Sequence, residues 1–120
     1  MAISKKLREK IRMKYGGRCA YCGKELHASF HVDHIIPICR GRVPKEYRNA
    51  KLENIDNLNP SCRRCNNYKT VLSLEDFRRE ISRQVERARS YSLNFRLAED
   101  FGLVVETKAP VVFYFEKAKE

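Results

Sequence analysis

Four cysteines in two C-x-x-C pairs are the residues of this sequence best suited to bind a metal ion. The first pair is Cys19 and Cys22, and the second is Cys62 and Cys65. A two-residue spacing lets one turn present both sulfurs to a single ion, and four thiolates give the closed tetrahedral site typical of structural zinc. Because a closed site leaves no position for water, we expect this zinc to stabilise the fold rather than to catalyse.

A secreted domain with two disulfides is the alternative interpretation of the same cysteines. No apolar signal segment follows the charged N-terminus, and no apolar run approaches the roughly 18 residues that span a bilayer. The sequence therefore predicts a cytoplasmic protein without a membrane segment, and in that reducing compartment paired cysteines favour metal binding. The fifth cysteine, Cys39, has no C-x-x-C partner and is interpreted as a buried or half-buried thiol.

The 39 residues between the cysteine pairs contain a second group that could do chemistry, the segment from His31 to Pro37. A neutral imidazole can take a proton from water near pH 7, and a carboxylate can hold Mg²⁺ or a similar hard cation. The adjacent Asp33 and His34 could therefore supply a metal ligand and a general base for the hydrolysis of a phosphodiester. Taken alone an Asp-His dipeptide is weak evidence, because most such pairs are structural.

Apolar spacing predicts the elements that position these residues. A helix is predicted over residues 3–15 and ends at two glycines, a strand over 29–37, and turns over the Asn-rich residues 52–60. The segment from Cys62 to about residue 72 is expected to open a second knuckle and run into a helix. Ser73 begins a helix that continues to about residue 89, and residues 93–101 predict a further helical turn or two.

Two strands are predicted at the end of the chain, over residues 103–105 and 111–115, joined by a turn at Pro110. The strand from Val111 to Phe115 is apolar and needs a cover. Intramolecular packing and dimerisation through this strand are both compatible with the sequence.

The positive charge is concentrated in the part of the chain that holds the cysteines and histidines. The chain carries 25 Lys and Arg against 15 Asp and Glu, a net charge of +10. Residues 1–72 account for the whole excess, with 16 basic against 6 acidic side chains, whereas residues 73–120 carry 9 of each. Such segregation favours a polyanionic partner, nucleic acid first, over the alternative of solvated basic helix faces.

Three parts of the chain together resemble the HNH nucleases of the ββα-metal (His-Me finger) type, in their four-cysteine zinc form. They are the segment from Asp33 to Pro37, the Asn57-Leu58 pair and the segment from Cys62 to Lys69. The resemblance covers about residues 15–72. It implies a metal-dependent endonuclease that hydrolyses DNA, with His34 as the general base and Asp33 as a ligand of the catalytic metal. It also implies that Asn57 fixes the loop after the base through backbone hydrogen bonds.

The sequence departs from the family name at the last motif position, where Asn66 stands in place of a histidine. The resemblance implies that Asn66 is the second ligand of the catalytic metal. An amide oxygen is a neutral, hard ligand that suits Mg²⁺ or Mn²⁺ better than zinc.

Several further side chains could contact the nucleic acid. For His31, a contact with a metal ligand or with phosphate competes with the role of an ordinary polar strand residue. Candidate phosphate contacts, for which solvated loop charges are the alternative, are Arg40, Arg42, Lys45, Arg48, Arg63, Arg64 and Lys69. Tyr21, Tyr47 and Tyr68 could stack on bases or pack around the zinc. His27 has no motif partner and is interpreted as a surface residue.

The sequence thus predicts an α+β fold, a small ββα-metal core stapled by a four-cysteine zinc site and flanked by an N-terminal helix and a C-terminal helix plus β-hairpin. One domain, residues 1–120, is expected, with the core over about 15–72 and an extension over about 73–120. The expected partner is DNA, without excluding RNA, and the chain is a monomer or a homodimer. The alternative function is a zinc-stapled nucleic-acid-binding module without catalysis. A redox protein with reactive C-x-x-C thiols would leave the segment after His31 unexplained.

Overall fold

The computed structural model describes residues 3–36 and 54–118. In these ranges the structure contains one two-stranded sheet and several helices, and the 3₁₀ turn Ile55–Asn57 precedes the second strand. In chain order the elements are α1 (Lys5–Arg12), β1 (His31–His34), β2 (Leu58–Ser61), α2 (Arg63–Lys69), α3 (Leu74–Ser82), α4 (Gln84–Tyr91), α5 (Leu93–Asp100) and α6 (Tyr114–Lys117). The predicted mixture of helix and a small amount of strand is confirmed.

Helix α1, with the 3₁₀ turn Met13–Tyr15 that follows it, confirms the helix predicted over residues 3–15. The Ser4 hydroxyl accepts from the backbone N–H of Leu7 at 3.1 Å and caps the first turn. The helix ends where Gly16 takes a left-handed conformation, φ 65°. The Arg8 guanidinium donates to the carbonyl of Phe30 at 2.6 Å, so α1 holds the chain where it enters β1.

Strands β1 and β2 are antiparallel, with His31 opposite Ser61 and His34 opposite Leu58. β1 confirms the middle of the strand predicted over 29–37, but the turns predicted for 52–60 are wrong at β2. The sequence argues against a strand here because Pro60 has no N–H to donate to a sheet. Its carbonyl nevertheless accepts from the backbone N–H of Ala20 at 2.8 Å, and all four residues of β2 are buried.

The C-terminal half contains two departures from prediction, the first being a helix that divides in two. The predicted helix over 73–89 divides at Arg83 into α3 and α4. The side-chain amide of Gln84 donates to the Glu80 carbonyl at 2.8 Å and the Ser82 hydroxyl donates to the Arg79 carbonyl at 2.6 Å. These side chains compete with the helical backbone for its carbonyls, so the helix ends there.

The predicted β-hairpin over 103–115 is wrong. Residues 103–113 form no strand, and residues 114–117 form the short helix α6. Phe113 and Phe115 pack instead on Tyr21, with ring centroids 5.3 and 6.0 Å from it. The backbone N–H of Phe115 donates to the Ala20 carbonyl at 2.8 Å, so this apolar segment is covered by intramolecular packing, the first of the two alternatives.

The helical pair α4–α5 leaves apolar side chains in solvent. Tyr91 is 88% exposed and Phe101, just after α5, is 77% exposed. The pair is held together by the Arg89 guanidinium, which contacts the carboxylates of Glu99 and Glu106 at 2.8 Å each. None of the helices within 3–36 and 54–118 has the length and apolar character needed to cross a membrane.

Candidate functional site

The two cysteine pairs come together in one cluster. The four Sγ atoms of Cys19, Cys22, Cys62 and Cys65 lie within 4.8 Å of one another, and those of Cys22 and Cys62 are 3.9 Å apart. A tetrahedral zinc with Zn–S bonds of about 2.3 Å requires sulfurs about 3.8 Å apart, so the cluster has the size of a zinc site. The cluster can therefore bind zinc.

Local backbone geometry presents these sulfurs. After the first pair, Gly23 adopts φ 80°, which lets the chain reverse around the cluster. In the second pair, Cys62 is the N-cap of α2, and its Sγ accepts from the backbone N–H of Cys65 at 3.4 Å. Cys62 thus joins the end of β2 to the start of α2 and fixes the helix relative to the strand.

The ionisation of the cluster prepares it for a cation. A hydrogen bond from Cys65 lowers the pKa of the Cys19 thiol to about 4, and the same bond raises the pKa of Cys65. Burial raises the pKa of Cys22 as well. Four neighbouring thiolates repel one another, and a bound dication would stabilise them together.

His34 ends β1, and Asn57 holds the backbone that follows it. Asn57 Oδ1 accepts from the backbone N–H of Ile36 at 2.8 Å, and Asn57 Nδ2 donates to the Ile36 carbonyl at 3.1 Å. The Asn57 carbonyl also accepts from the backbone N–H of Ile35 at 2.9 Å. Three hydrogen bonds from one buried asparagine therefore fix the two residues directly after His34, and with them the end of the strand.

Asp33 points to the opposite face of β1 from His34, as alternation in a strand requires. Its carboxylate is only 5% exposed and lies 3.2 Å from the ammonium of Lys69, a side chain with no exposed surface. The Tyr21 hydroxyl donates to the same oxygen, Oδ2. Burial raises the pKa of Asp33 despite the opposing effects of Lys69 and Tyr21. Oδ2 is thus committed to protein partners, and a metal at this residue would use Oδ1.

Helix α2 lies across the face of β1 that carries His31 and Asp33. Lys69, in its last turn, donates to the His34 carbonyl at 2.9 Å as well as contacting Asp33. Asn66, one turn earlier, contacts His31, with Asn66 Nδ2 2.9 Å from His31 Nδ1. Both residues on the helix therefore fix the strand that carries Asp33.

Sequence reasoning missed Lys69 and Tyr21 as the partners of Asp33. A signal for Lys69 was present, because it follows Asn66 by three residues and lies on the same helix face. The phosphate contact predicted for Lys69 is wrong, because its ammonium is buried against Asp33 and His34. Stacking of Tyr21 on a base is wrong for the same reason, since its ring lies in the core.

The other residues that the sequence analysis named divide into those within the described ranges and those outside them. Arg63 and Arg64 are exposed at the start of α2, and His27 is exposed as expected. Tyr68 is half-exposed and its hydroxyl accepts from Gln84 and Arg87, both at 2.7 Å. The residues that lie outside the described ranges are Cys39, Arg40, Arg42, Lys45, Tyr47 and Arg48.

Loss of the Lys69 ammonium is expected to destabilise the protein strongly. In Lys69→Met the Asp33 carboxylate stays buried without its cation, and breaking a buried pair in this way costs about 3–5 kcal/mol in the free energy of unfolding. Denaturant titration of the zinc-loaded protein measures this loss, and Arg64→Met on the exposed face of α2 is the control, expected within about 0.5 kcal/mol of wild type. Lys69→Met combined with Asp33→Asn should recover part of the loss. Equal stability of Lys69→Met and wild type would contradict the buried pair.

The order strand, strand, helix, with four thiols joining a knuckle to the helix, defines a ββα module able to bind a metal. Residues 19–71 match the family model of the HNH endonucleases. The match spans both cysteine pairs, β1, β2 and α2, and so confirms the family that the motifs resemble. No curated protein and no solved structure matches the chain.

Proposed function

We propose that the chain is a divalent-metal-dependent endonuclease that hydrolyses phosphodiester bonds of DNA. The observation that carries the proposal is the pair of hydrogen bonds between the Asn57 side chain and the Ile36 backbone, in a segment that matches the HNH family model. These bonds fix the end of the strand that carries Asp33 and His34. An ordinary strand end does not require an asparagine that bonds both the N–H and the carbonyl of one residue. A general base, in contrast, must be held in one orientation.

His34 is the general base in this proposal. Its imidazole takes a proton from the water that attacks phosphorus, and the hydrogen bonds from Asn57 and Lys69 to the surrounding backbone hold it in place. The neighbouring Asp33–Lys69 pair is buried and joins α2 to the strand that carries His34. As in the family, the products would carry 5′-phosphate and 3′-hydroxyl ends.

Asp33 and Asn66 would hold the catalytic cation. Their carboxylate and amide oxygens are hard donors that suit Mg²⁺ or Mn²⁺, so the donor set fits such an ion. The cation would neutralise the phosphate and stabilise the departing oxygen. Zinc bound by the four cysteines would have a structural role, since that site has no open position for water.

Positive charge supports the choice of a nucleic-acid substrate. The chain has a net charge of +10, and Arg63 and Arg64 are exposed next to the zinc cluster, where they could contact backbone phosphates. One site cuts one strand, so a monomer would nick duplex DNA. Cutting both strands would need a homodimer or two separate encounters.

A binding module without catalysis is the second candidate, and one observation favours it. Asp33 Oδ2 already accepts from Tyr21 and pairs with Lys69, which leaves the carboxylate fewer lone pairs for a metal. A zinc-stapled domain that only binds DNA would use the same fold and charge.

Plasmid cleavage with Mg²⁺, with Mn²⁺ and with EDTA separates the two candidates. We expect nicked circles to appear before linear DNA, in either metal and not in EDTA. Tight, salt-sensitive binding of the plasmid, with no cleavage in either metal, would instead establish the binding module. Cleavage that persists in EDTA would contradict the metal-dependent mechanism.

A further inference from the structure

The side chain of Asn66 is held by His31. Asn66 Nδ2 lies 2.9 Å from His31 Nδ1, and both side chains are half-buried between β1 and α2. Because an amide nitrogen can only donate, this contact requires Nδ1 of His31 to be the acceptor. The amide oxygen of Asn66 is therefore turned away from the imidazole.

The orientation of this amide matters for metal binding. An asparagine amide has two ends of similar shape, of which only the oxygen can bind a cation. With His31 Nδ1 as the acceptor, the reversed amide would bring its oxygen against the lone pair of that nitrogen, which is unfavourable. A single acceptor atom on β1 is thus enough to select which end of Asn66 faces outward.

We propose that His31 is a positioning residue that orients the Asn66 amide so that its oxygen faces the catalytic divalent cation. This inference rests on the proposed function, since it concerns the metal ligand of that site. It gives His31 a role within the metal site instead of a contact with phosphate. The same helix fixes both ligands, because Lys69, one turn after Asn66, holds Asp33.

Metal affinity tests the inference without relying on cleavage. Binding of Mn²⁺ to the zinc-loaded protein is measured from the electron paramagnetic resonance signal of free Mn²⁺. His31→Leu keeps most of the side-chain volume but removes the acceptor, and we expect Mn²⁺ affinity to fall about 10–100-fold, as for other groups that orient metal ligands. His31→Asn places an oxygen near the position of Nδ1 and is expected to recover most of the affinity.

A double-mutant cycle shows whether His31 acts through Asn66. Asn66→Ala alone should weaken Mn²⁺ binding, and adding His31→Leu to it should cause no further loss. A further loss of about 10-fold in the double variant would overturn the inference, because His31 would then contribute to binding independently. His27→Leu, an exposed histidine in the same chain, is the control and should bind Mn²⁺ like wild type.

The outcomes separate this inference from the proposed function. Wild-type Mn²⁺ binding together with equal binding by His31→Leu would overturn the role of His31 alone. Absence of Mn²⁺ binding in the wild type would contradict the catalytic metal site and, with it, this inference. If His31→Leu melts well below wild type, His31→Ala and His31→Asn provide the same comparison, since only the latter keeps an acceptor.

Discussion

His34→Ala is expected to lower the rate of plasmid cleavage by about 10²–10⁴-fold, the usual contribution of a general base. The variant removes the imidazole but leaves the backbone hydrogen bonds that Asn57 and Lys69 make around it. The contacts from Asn57 to Ile36 and from Lys69 to the His34 carbonyl involve main-chain atoms of residues 34–36. DNA affinity, zinc content and melting temperature should therefore stay close to those of the wild type.

Added imidazole provides a direct test of the role of His34. If the side chain acts as a base, imidazole in solution should restore part of the cleavage by His34→Ala. His27→Ala is the matched control, because His27 is exposed and lies outside the motif. Full activity of His34→Ala would remove His34 as the base, and equal residual activity in both variants would point to a contaminating nuclease.

Motif residues were predictable from the sequence because their chemistry depends on short spacings. Each C-x-x-C pair lies within a single turn, which presents both of its sulfurs on one side. The sequence therefore predicted that the four sulfurs meet at one metal site. The resemblance to the HNH nucleases implied the backbone hydrogen bonds of Asn57, although the strand pairing that places this residue beside Ile36 was not predicted. The three hydrogen bonds of Asn57 are of the backbone kind that the motif implies.

Elements that depend on distant contacts were not predictable in the same way. The apolar run ending at Phe115 has the composition of a strand, but its rings fill the space beside Tyr21, which is distant in sequence. Pro60 argues against a strand locally, yet β2 is stabilised by Ala20 and by the Lys14 ammonium, which lies 2.8 Å from the Leu58 carbonyl. Tertiary burial overrides local preference in both places.

The contacts of Asp33 with Lys69 and Tyr21 were likewise not predictable from the sequence. The sequence indicates a carboxylate suited to a hard cation, but not that a lysine of α2 and a tyrosine of the knuckle would contact it first. Tyr21 stands between two cysteines of the cluster and its hydroxyl donates to Asp33, so the thiol cluster and the proposed catalytic residues share one side chain. We therefore expect damage to the zinc cluster to disturb Asp33 as well.

Loss of one zinc ligand is expected to unfold the domain. Binding of a structural zinc contributes about 10–16 kcal/mol in small zinc domains, which is comparable with or larger than the roughly 5–15 kcal/mol by which a domain is stable. Cys62→Ser is the sharpest variant, because serine retains an N-cap oxygen for the backbone N–H of Cys65 but removes the thiolate. Its circular dichroism should show loss of helix and of cooperative melting, with less than one zinc per chain.

The unfolding should extend beyond the cluster itself. The knuckle carbonyls of Ala20 and Tyr21 accept from the backbone N–H groups of Phe115 and Tyr114, at 2.8 and 3.1 Å, so the C-terminal segment is attached to the metal-binding turn. A chelator strong enough to remove zinc from the wild type should therefore expose Phe115 together with the cluster. Cys39→Ser, which changes the one cysteine without a C-x-x-C partner, is the control and should retain zinc. If Cys62→Ser melted like wild type with one zinc bound, the four-cysteine site would not be the structural metal site of this fold.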